Sequence, residues 1–203
     1  MPTIVKRSSL YKNHIDLIAA RKIKMDLKNA YFTSDLHLFH ENIMKYCNRP
    51  WKDVSQMNKG LLSLWNKTVP KDADVFILGD LSLLGNDKKD KLGIIVSKLN
   101  GHLHLILGNH DRLTANNYTD IGIHSIHYPY LQLSNGWICC HDPSLATACP
   151  ENSIILSGHV HGLYGPLIKT KQNKTIIDVG VDTWNYKPIS FSQIELLITG
   201  IKK

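Results

Sequence analysis

Five strand-length apolar runs each lead into residues of metal-ligand type, and this recurrence constrains the fold more than any other property of the chain. Ala30-Tyr31-Phe32-Thr33 leads into Asp35-Leu36-His37, Val75-Phe76-Ile77-Leu78 into Gly79-Asp80, and Leu103-His104-Leu105-Ile106-Leu107 into Gly108-Asn109-His110-Asp111. Trp137-Ile138-Cys139-Cys140 leads into His141-Asp142, and Ile154-Ile155-Leu156 into Gly158-His159-Val160-His161-Gly162. Open α/β sheets gather their chemistry where strands end, so residues far apart in sequence are expected to converge on one pocket.

Helical patterns separate the runs. Asp53 is placed to cap a helix whose Val54, Met57, Leu61, Leu64 and Trp65 share one face, with Pro70 marking its end. Asn86 or Asp87 opens a second helix carrying Leu92, Ile95, Val96 and Leu99, and Gly101 follows as its C-terminal cap. After the last histidine pair the pattern turns to β, over Thr175 to Val179 and Ser190 to Thr199, with Pro188 between them. A mixed two-sheet α/β core flanked by helices accommodates this order better than a doubly wound sheet.

A chain of 203 residues, 43% hydrophobic, is long enough for one substantial core. That domain is assigned to 29–203. Residues 1–28 form a basic extension, which with Lys6, Arg7, Lys12, Arg21, Lys22, Lys24 and Lys28 against Asp16 and Asp26 holds +5 of the net +7. Ser8 or Ser9 would cap a helix there carrying Leu10, Ile15, Leu17 and Ile18; its basic face is read as solvated, with docking to phosphate backbones or an acidic partner as the alternative. No stretch approaches the ~20 apolar residues that span a bilayer, and no signal-peptide pattern follows Lys6 and Arg7. A cytoplasmic protein without membrane contact is expected. Cys47, Cys139, Cys140 and Cys149 lack C-x-x-C spacing and are read as reduced, with Cys139 and Cys140 on opposite faces of a strand.

The ligand types themselves restrict the chemistry. Carboxylate, imidazole and amide oxygen without thiolate suit manganese, iron or zinc in a hydrolytic site, and the many histidines argue against a magnesium or calcium cage. Asp35, His37, Asp80, Asn109, His141, His159 and His161 are too many for one tetrahedral ion. They suit two ions about 3.5–4 Å apart that share a bridging carboxylate and lower the pKa of a water to ~7, with phosphorus the natural target. Asp80, a lone carboxylate after a glycine that lets the backbone turn, is the expected bridge, one oxygen to each ion.

These residues resemble the calcineurin-like metallophosphoesterase superfamily, whose pattern is D-x-H, G-D, G-N-H-D or G-N-H-E, a lone H, then G-H-x-H. The resemblance runs from about Tyr31 to Asp182, most of the chain. It implies a four-layer α/β/β/α sandwich of two mixed sheets flanked by helices. It also implies two divalent ions, manganese foremost, with iron, zinc or nickel as alternatives. Asp35, His37, Asp80 and His161 would hold the first ion, and Asp80, Asn109, His141 and His159 the second. His110 would be a non-ligand histidine that binds phosphate and protonates the leaving oxygen. The segment from Thr33 to Ile43, with Cys47-Asn48-Arg49-Pro50-Trp51 behind it, looks most like small single-domain phosphoesterases of bacteria and their viruses.

Neighbouring residues receive secondary assignments. His40 and Asn42 either orient a substrate phosphate or cap a helix, Arg49 and Arg112 are candidate phosphate clamps against a surface reading, and Asp111 is placed to hold the His110 ring or to cap the following segment. His102, His104, His124 and His127 are read as structural or solvent-facing. Gly79-Asp80-Leu81-Ser82-Leu83-Leu84-Gly85 lacks the phosphate-binding Arg of the related protein Ser/Thr phosphatases, and the chain leaves no room for their groove insertions or for the DNA-binding domain of the repair nucleases. The expectation is a compact phosphodiesterase acting on a nucleotide, small molecule or nucleic-acid end. A phosphomonoesterase is the alternative, and a non-catalytic scaffold or RNA-binding protein is the alternative of another class.

Overall fold

Alternation along each buried strand sorts the side chains into layers. A computed structural model describes residues 27–200, so the helix expected in the basic extension lies outside the described residues. The strands are β1 (Ala30–Thr33), β2 (Asp74–Ile77), β3 (His102–Ile106), β4 (Ser125–His127), β5 (Tyr130–Gln132), β6 (Ile138–Cys140), β7 (Ile154–Ser157), β8 (Leu167–Lys169), β9 (Thr175–Asp178) and β10 (Ile189–Ser190). The helices are α1 (Ile43–Tyr46), α2 (Val54–Thr68), α3 (Lys89–Val96), α4 (Ala115–Asp120) and α5 (Phe191–Gly200).

Two mixed five-stranded sheets result. The first has the order β10-β1-β2-β3-β4, parallel from β1 to β4 with β10 antiparallel at one edge. The second has the order β5-β6-β7-β9-β8, parallel through β6, β7 and β9 with both edge strands antiparallel. Val75 and Ile77 of β2 share a core with Met57, Leu61 and Trp65 of α2 and Leu92 and Val96 of α3. Phe76, pointing the other way, belongs to a second core with Phe32, Ile106, Leu156 and Ile177, which draws on both sheets. Burying each such side chain contributes about 1.5–3 kcal/mol. Cys139 joins this inner core and Cys140 the outer one with Ile138, Ile155, Ile176 and Cys149, as the pleat requires.

Asp53 caps α2 as expected, its carboxylate accepting from Gln56 N–H at 2.8 Å. The second expected helix starts as a 3-10 turn at Asn86–Lys88 and ends at Val96, so Gly101 is not its cap but part of the entry to β3. The larger difference is at the C-terminus, where the stretch expected as β from Ser190 to Thr199 is helix α5 from Phe191 onward, after the two-residue strand β10. Ser190 Oγ accepts from Gln193 N–H at 3.3 Å and Gln193 Oε1 accepts from Ser190 N–H at 3.0 Å. This is a reciprocal capping box, and Phe191, Ile194, Leu197 and Ile198 then turn one helical face onto the inner core. Among the described residues no helix is long and apolar enough to cross a membrane.

Candidate metal centre

Parallel pairing brings the ends of β1, β2 and β3 side by side, and those of β6 and β7 likewise in the other sheet. The loops after β1 and β2 run together, with Asp35 N–H donating to Gly79 O at 3.0 Å and His37 N–H to Asp80 O at 2.9 Å. The sheets meet at this same end, where Ser34 pairs with Gly180 and Val181 N–H donates to Ser34 O at 3.1 Å. Asp35, His37, Asp80, His159 and His161 all adopt left-handed backbone, with φ of 59°, 50°, 55°, 73° and 49°. Each departs from the preferred regions at about 1–3 kcal/mol, and such residues cluster where side-chain placement outranks local stability. Gly158 is needed for another reason: a Cβ there would collide with Ser34 Oγ and Asp35 Oδ2.

All seven expected ligands come together. Asp80 Oδ2 lies 3.5 Å from His37 Nε2, 3.4 Å from His141 Nε2 and 4.0 Å from His110 Nε2. Asn109 Oδ1 lies 2.9 Å from His141 Nε2 and 3.1 Å from His159 Nδ1. Asp35, His37 and His161 form a second convergence, with ligand atoms within 4.8 Å of one another. Asp80 Oδ1 accepts the His110 backbone N–H at 2.8 Å, while Oδ2 faces both groups.

Hydrogen bonds fix the imidazole tautomers. His141 Nδ1 donates to Leu78 O at 2.8 Å and His161 Nδ1 to Asp182 Oδ2 at 2.8 Å, since a carbonyl and a carboxylate can only accept. Each Nε2 is left for the centre. His37 is 1% exposed, yet neither ring nitrogen has a hydrogen-bond partner. A buried imidazole left in this way costs about 1–3 kcal/mol, which coordination of a cation would offset.

The titration directions follow from burial and crowding. Burial pushes the Asp35 carboxyl up to about 6 and the His37 imidazole down to about 3. Burial also opposes ionisation of Asp80, but its bonds to His141 and to the His110 backbone hold it at about 2. His141 is raised to about 9 against burial by Asp80 and Asp35, and His161 to about 10 by Asp182 and Cys47. These protons occupy positions that a divalent ion would take, and metal binding would release them. The donor set therefore fits one or two hard-to-borderline cations.

Beside Asn109, His141 and His159 opens a cavity of about 290 Å³, walled by Leu107, Tyr128 and Leu145. On the other side the His40 ring stands 5.4 Å from that of His37 and 6.2 Å from that of His110. His40 thus joins the centre, whereas the exposed Asn42 makes no capping bond with its side chain.

Two secondary assignments change, and Arg112 keeps its surface reading. Arg49 is no surface residue and no free phosphate clamp: it is 5% exposed and bonded to Asp182 and to the Asp35 and Leu36 carbonyls. Asp111 does not hold the His110 ring, because its oxygens accept from the backbone N–H of Asp80, Leu81 and Gly108 and from Tyr118 OH. Arg112 is exposed and makes no hydrogen bond or ion pair among the described residues. His104 bonds Asp74 and Ser125, a structural role as expected. Two carboxylates escaped the sequence reading. Asp178 accepts from Gly162 N–H, Gly180 N–H and Thr183 Oγ1, tying down the histidine-pair loop, and Asp182 holds His161.

The chain is similar to the uncharacterized protein MJ1445 of Methanocaldococcus jannaschii, at 34% identity over 184 residues, 86% of this chain and 93% of that one. It is similar to the gene 66 protein of Mycobacterium phage L5, at 28% identity over 193 residues, 78% of this chain and 88% of that one. Among solved structures, a protein of unknown function from Aquifex aeolicus, AQ665, shares the fold with a TM-score of 0.61 at 23% identity, covering 83% of this chain and 98% of that one. No protein-family model matches the chain.

Proposed function

We propose that this chain, which belongs to the family of MJ1445 from Methanocaldococcus jannaschii, is a dinuclear metal-dependent phosphoesterase of the cytoplasm, with phosphodiesters as its substrates. One observation carries the reading. Asp80 Oδ2 stands between two groups of ligand-type side chains, 3.5 Å from His37 Nε2 on one side and 3.4 Å from His141 Nε2 on the other. Asp35, His37, Asp80 and His161 would hold one ion, and Asp80, Asn109, His141 and His159 the other. The pair of mixed sheets with helices agrees with the four-layer sandwich of the calcineurin-like superfamily. The relative from a mycobacteriophage agrees with the small phosphoesterases of bacteria and their viruses.

When bound by these side chains, two divalent ions, manganese foremost, would supply a nucleophilic water at neutral pH and neutralise charge on phosphoryl oxygens. The chain's own residues do the rest. His110, with its side chain 35% exposed and Nε2 near Asp80, can reach a bound phosphate and donate a proton to the leaving oxygen. The walls formed by Leu107, Tyr128 and Leu145 receive an ester substituent. Diesters are favoured over monoesters because Arg49, committed to Asp182 and two carbonyls, is not free to match the second charge of a monoester.

Manganese-loaded protein should hydrolyse bis(p-nitrophenyl) phosphate faster than p-nitrophenyl phosphate, and chelation should abolish both activities. Metal-dependent hydrolysis of neither ester would overturn the enzyme reading in favour of a scaffold.

A further inference from the structure

Arg49 is a buried cation whose bonds reach two separate parts of the centre. Taking a guanidinium out of water costs several kcal/mol unless its donors are matched. Here Nε and Nη2 fork onto Asp182 Oδ1 and Oδ2 at 2.8 and 2.9 Å, Nη1 donates to Leu36 O at 2.9 Å, and Nη2 donates to Asp35 O at 2.7 Å. The two carbonyls belong to the loop that presents Asp35 and His37 in left-handed backbone. Asp182 Oδ2, from the opposite side, accepts His161 Nδ1–H at 2.8 Å. One guanidinium thus reaches a carboxylate 133 positions along the chain and ties together the three side chains that, with Asp80, would make up the buried half.

We propose that Arg49 and Asp182 are positioning residues that preform the buried ion site, a role that rests on the dinuclear reading above. Asp182 keeps the proton of His161 on Nδ1 and turns Nε2 inward. Arg49 anchors Asp182 and holds the strained loop of Asp35 and His37 at once. The same side chains suggest another use, since ligand atoms of Cys47, His161 and Asp182 also lie within 4.8 Å of one another. That use would set a second cation against the guanidinium that Asp182 already pairs inside the protein. The clamp therefore takes precedence over a separate ion.

Among the described residues no arginine braces the exposed half, where His141 is held by the Leu78 carbonyl instead, so the two ion affinities are separable. Calorimetric titration of the full chain with Mn²⁺ tests this, using Asp182→Asn, Arg49→Lys and Arg49→Ala. Asp182→Asn keeps the side-chain shape, and should weaken one of the two ions by about 10–100-fold while leaving the other near its wild-type affinity. Arg49→Lys, which retains the charge and loses the fork, should fall between wild type and Arg49→Ala. Imidazole ¹⁵N spectra of the metal-free protein should show a proton on His161 Nδ1 hydrogen-bonded to Asp182 in the wild type, and that Nδ1 signal should shift in Asp182→Asn, a change that a merely structural role would not produce. Equal weakening of both ions, or of neither, in folded Asp182→Asn would overturn the clamp, and this variant decides the test where Arg49→Ala does not fold. Wild-type protein that binds fewer than two ions would instead overturn the dinuclear reading itself.

Discussion

The two halves of the centre are built on opposite plans. The half of Asp35, His37 and His161 is the more enclosed, with Asp35 and His37 0% and 1% exposed, the His161 side chain 24% exposed and a buried arginine behind it. The half of Asn109, His141 and His159 is open: Asn109 and His159 are exposed, and a cavity lies alongside. On the proposed reading, one half would be fixed by the fold and the other accessible to exchange and to substrate. Asp80, 1% exposed, belongs to both. The difference teaches that ligand residues of similar chemistry can divide into a preformed anchor and a working face.

The variant that should erase this distinction is Asp80→Ala, which removes the shared carboxylate. Both ions and all activity above background should be lost, as read by elemental analysis and ester hydrolysis. Two tightly bound ions in that variant would break the account. His110→Ala comes next, keeping both ions while slowing turnover by about 10²–10⁴, the span of a general acid. The loss should be larger for alkoxide than for p-nitrophenolate leaving groups, and equal losses would argue against protonation by His110.

The pH dependence of the metal-free protein gives a smaller effect that bears on both halves. His141 at about 9 and His161 at about 10 stand above the ordinary 6.5, so the native chain keeps protons that the unfolded chain releases. Their stabilisation is complete below pH 6.5 and is lost as pH rises through 9 to 10. Asp35, raised to about 6, loses its contribution lower, as pH rises from 3.8 through 6. Asp80, held at about 2, contributes above 3.8 and loses that as pH falls through 2. The melting temperature of the metal-free protein should fall from pH 6.5 to 10, and saturating manganese should flatten that fall by replacing the protons. An unchanged slope would contradict the assignment of His141 and His161 to the ions. The smallest effect is expected from deleting residues 1–26, which should leave hydrolysis of a small chromogenic ester largely intact; collapse of the fold would show that the segment packs on the domain.

What could be read in advance divides along the same physical lines. The strand ends were legible because a buried parallel strand is an uninterrupted apolar run and its ligands follow at once, as Phe32 and Thr33 precede Asp35. Helix α2 was legible because Asp53 and the stripe of Met57, Leu61 and Trp65 agree. Helix α5 was not, since Ile194, Leu196, Leu197 and Ile198 carry β-compatible hydrophobicity; the Ser190-x-x-Gln193 spacing is the signal that separates the two. The braces were hidden for a different reason. Arg49, Asp111, Asp178 and Asp182 bond mostly to backbone or to partners far along the chain, and nothing in a carboxylate's sequence neighbourhood distinguishes an ion ligand from a loop tie.

The central claim is that Asp80 joins an enclosed and an open ligand group into one dinuclear centre. Low-temperature electron paramagnetic resonance of the Mn²⁺-saturated protein tests it most directly. A spin-coupled signal from paired ions, accounting for two manganese per chain and absent in Asp80→Ala, is the predicted result. An uncoupled mononuclear spectrum at saturation would contradict it.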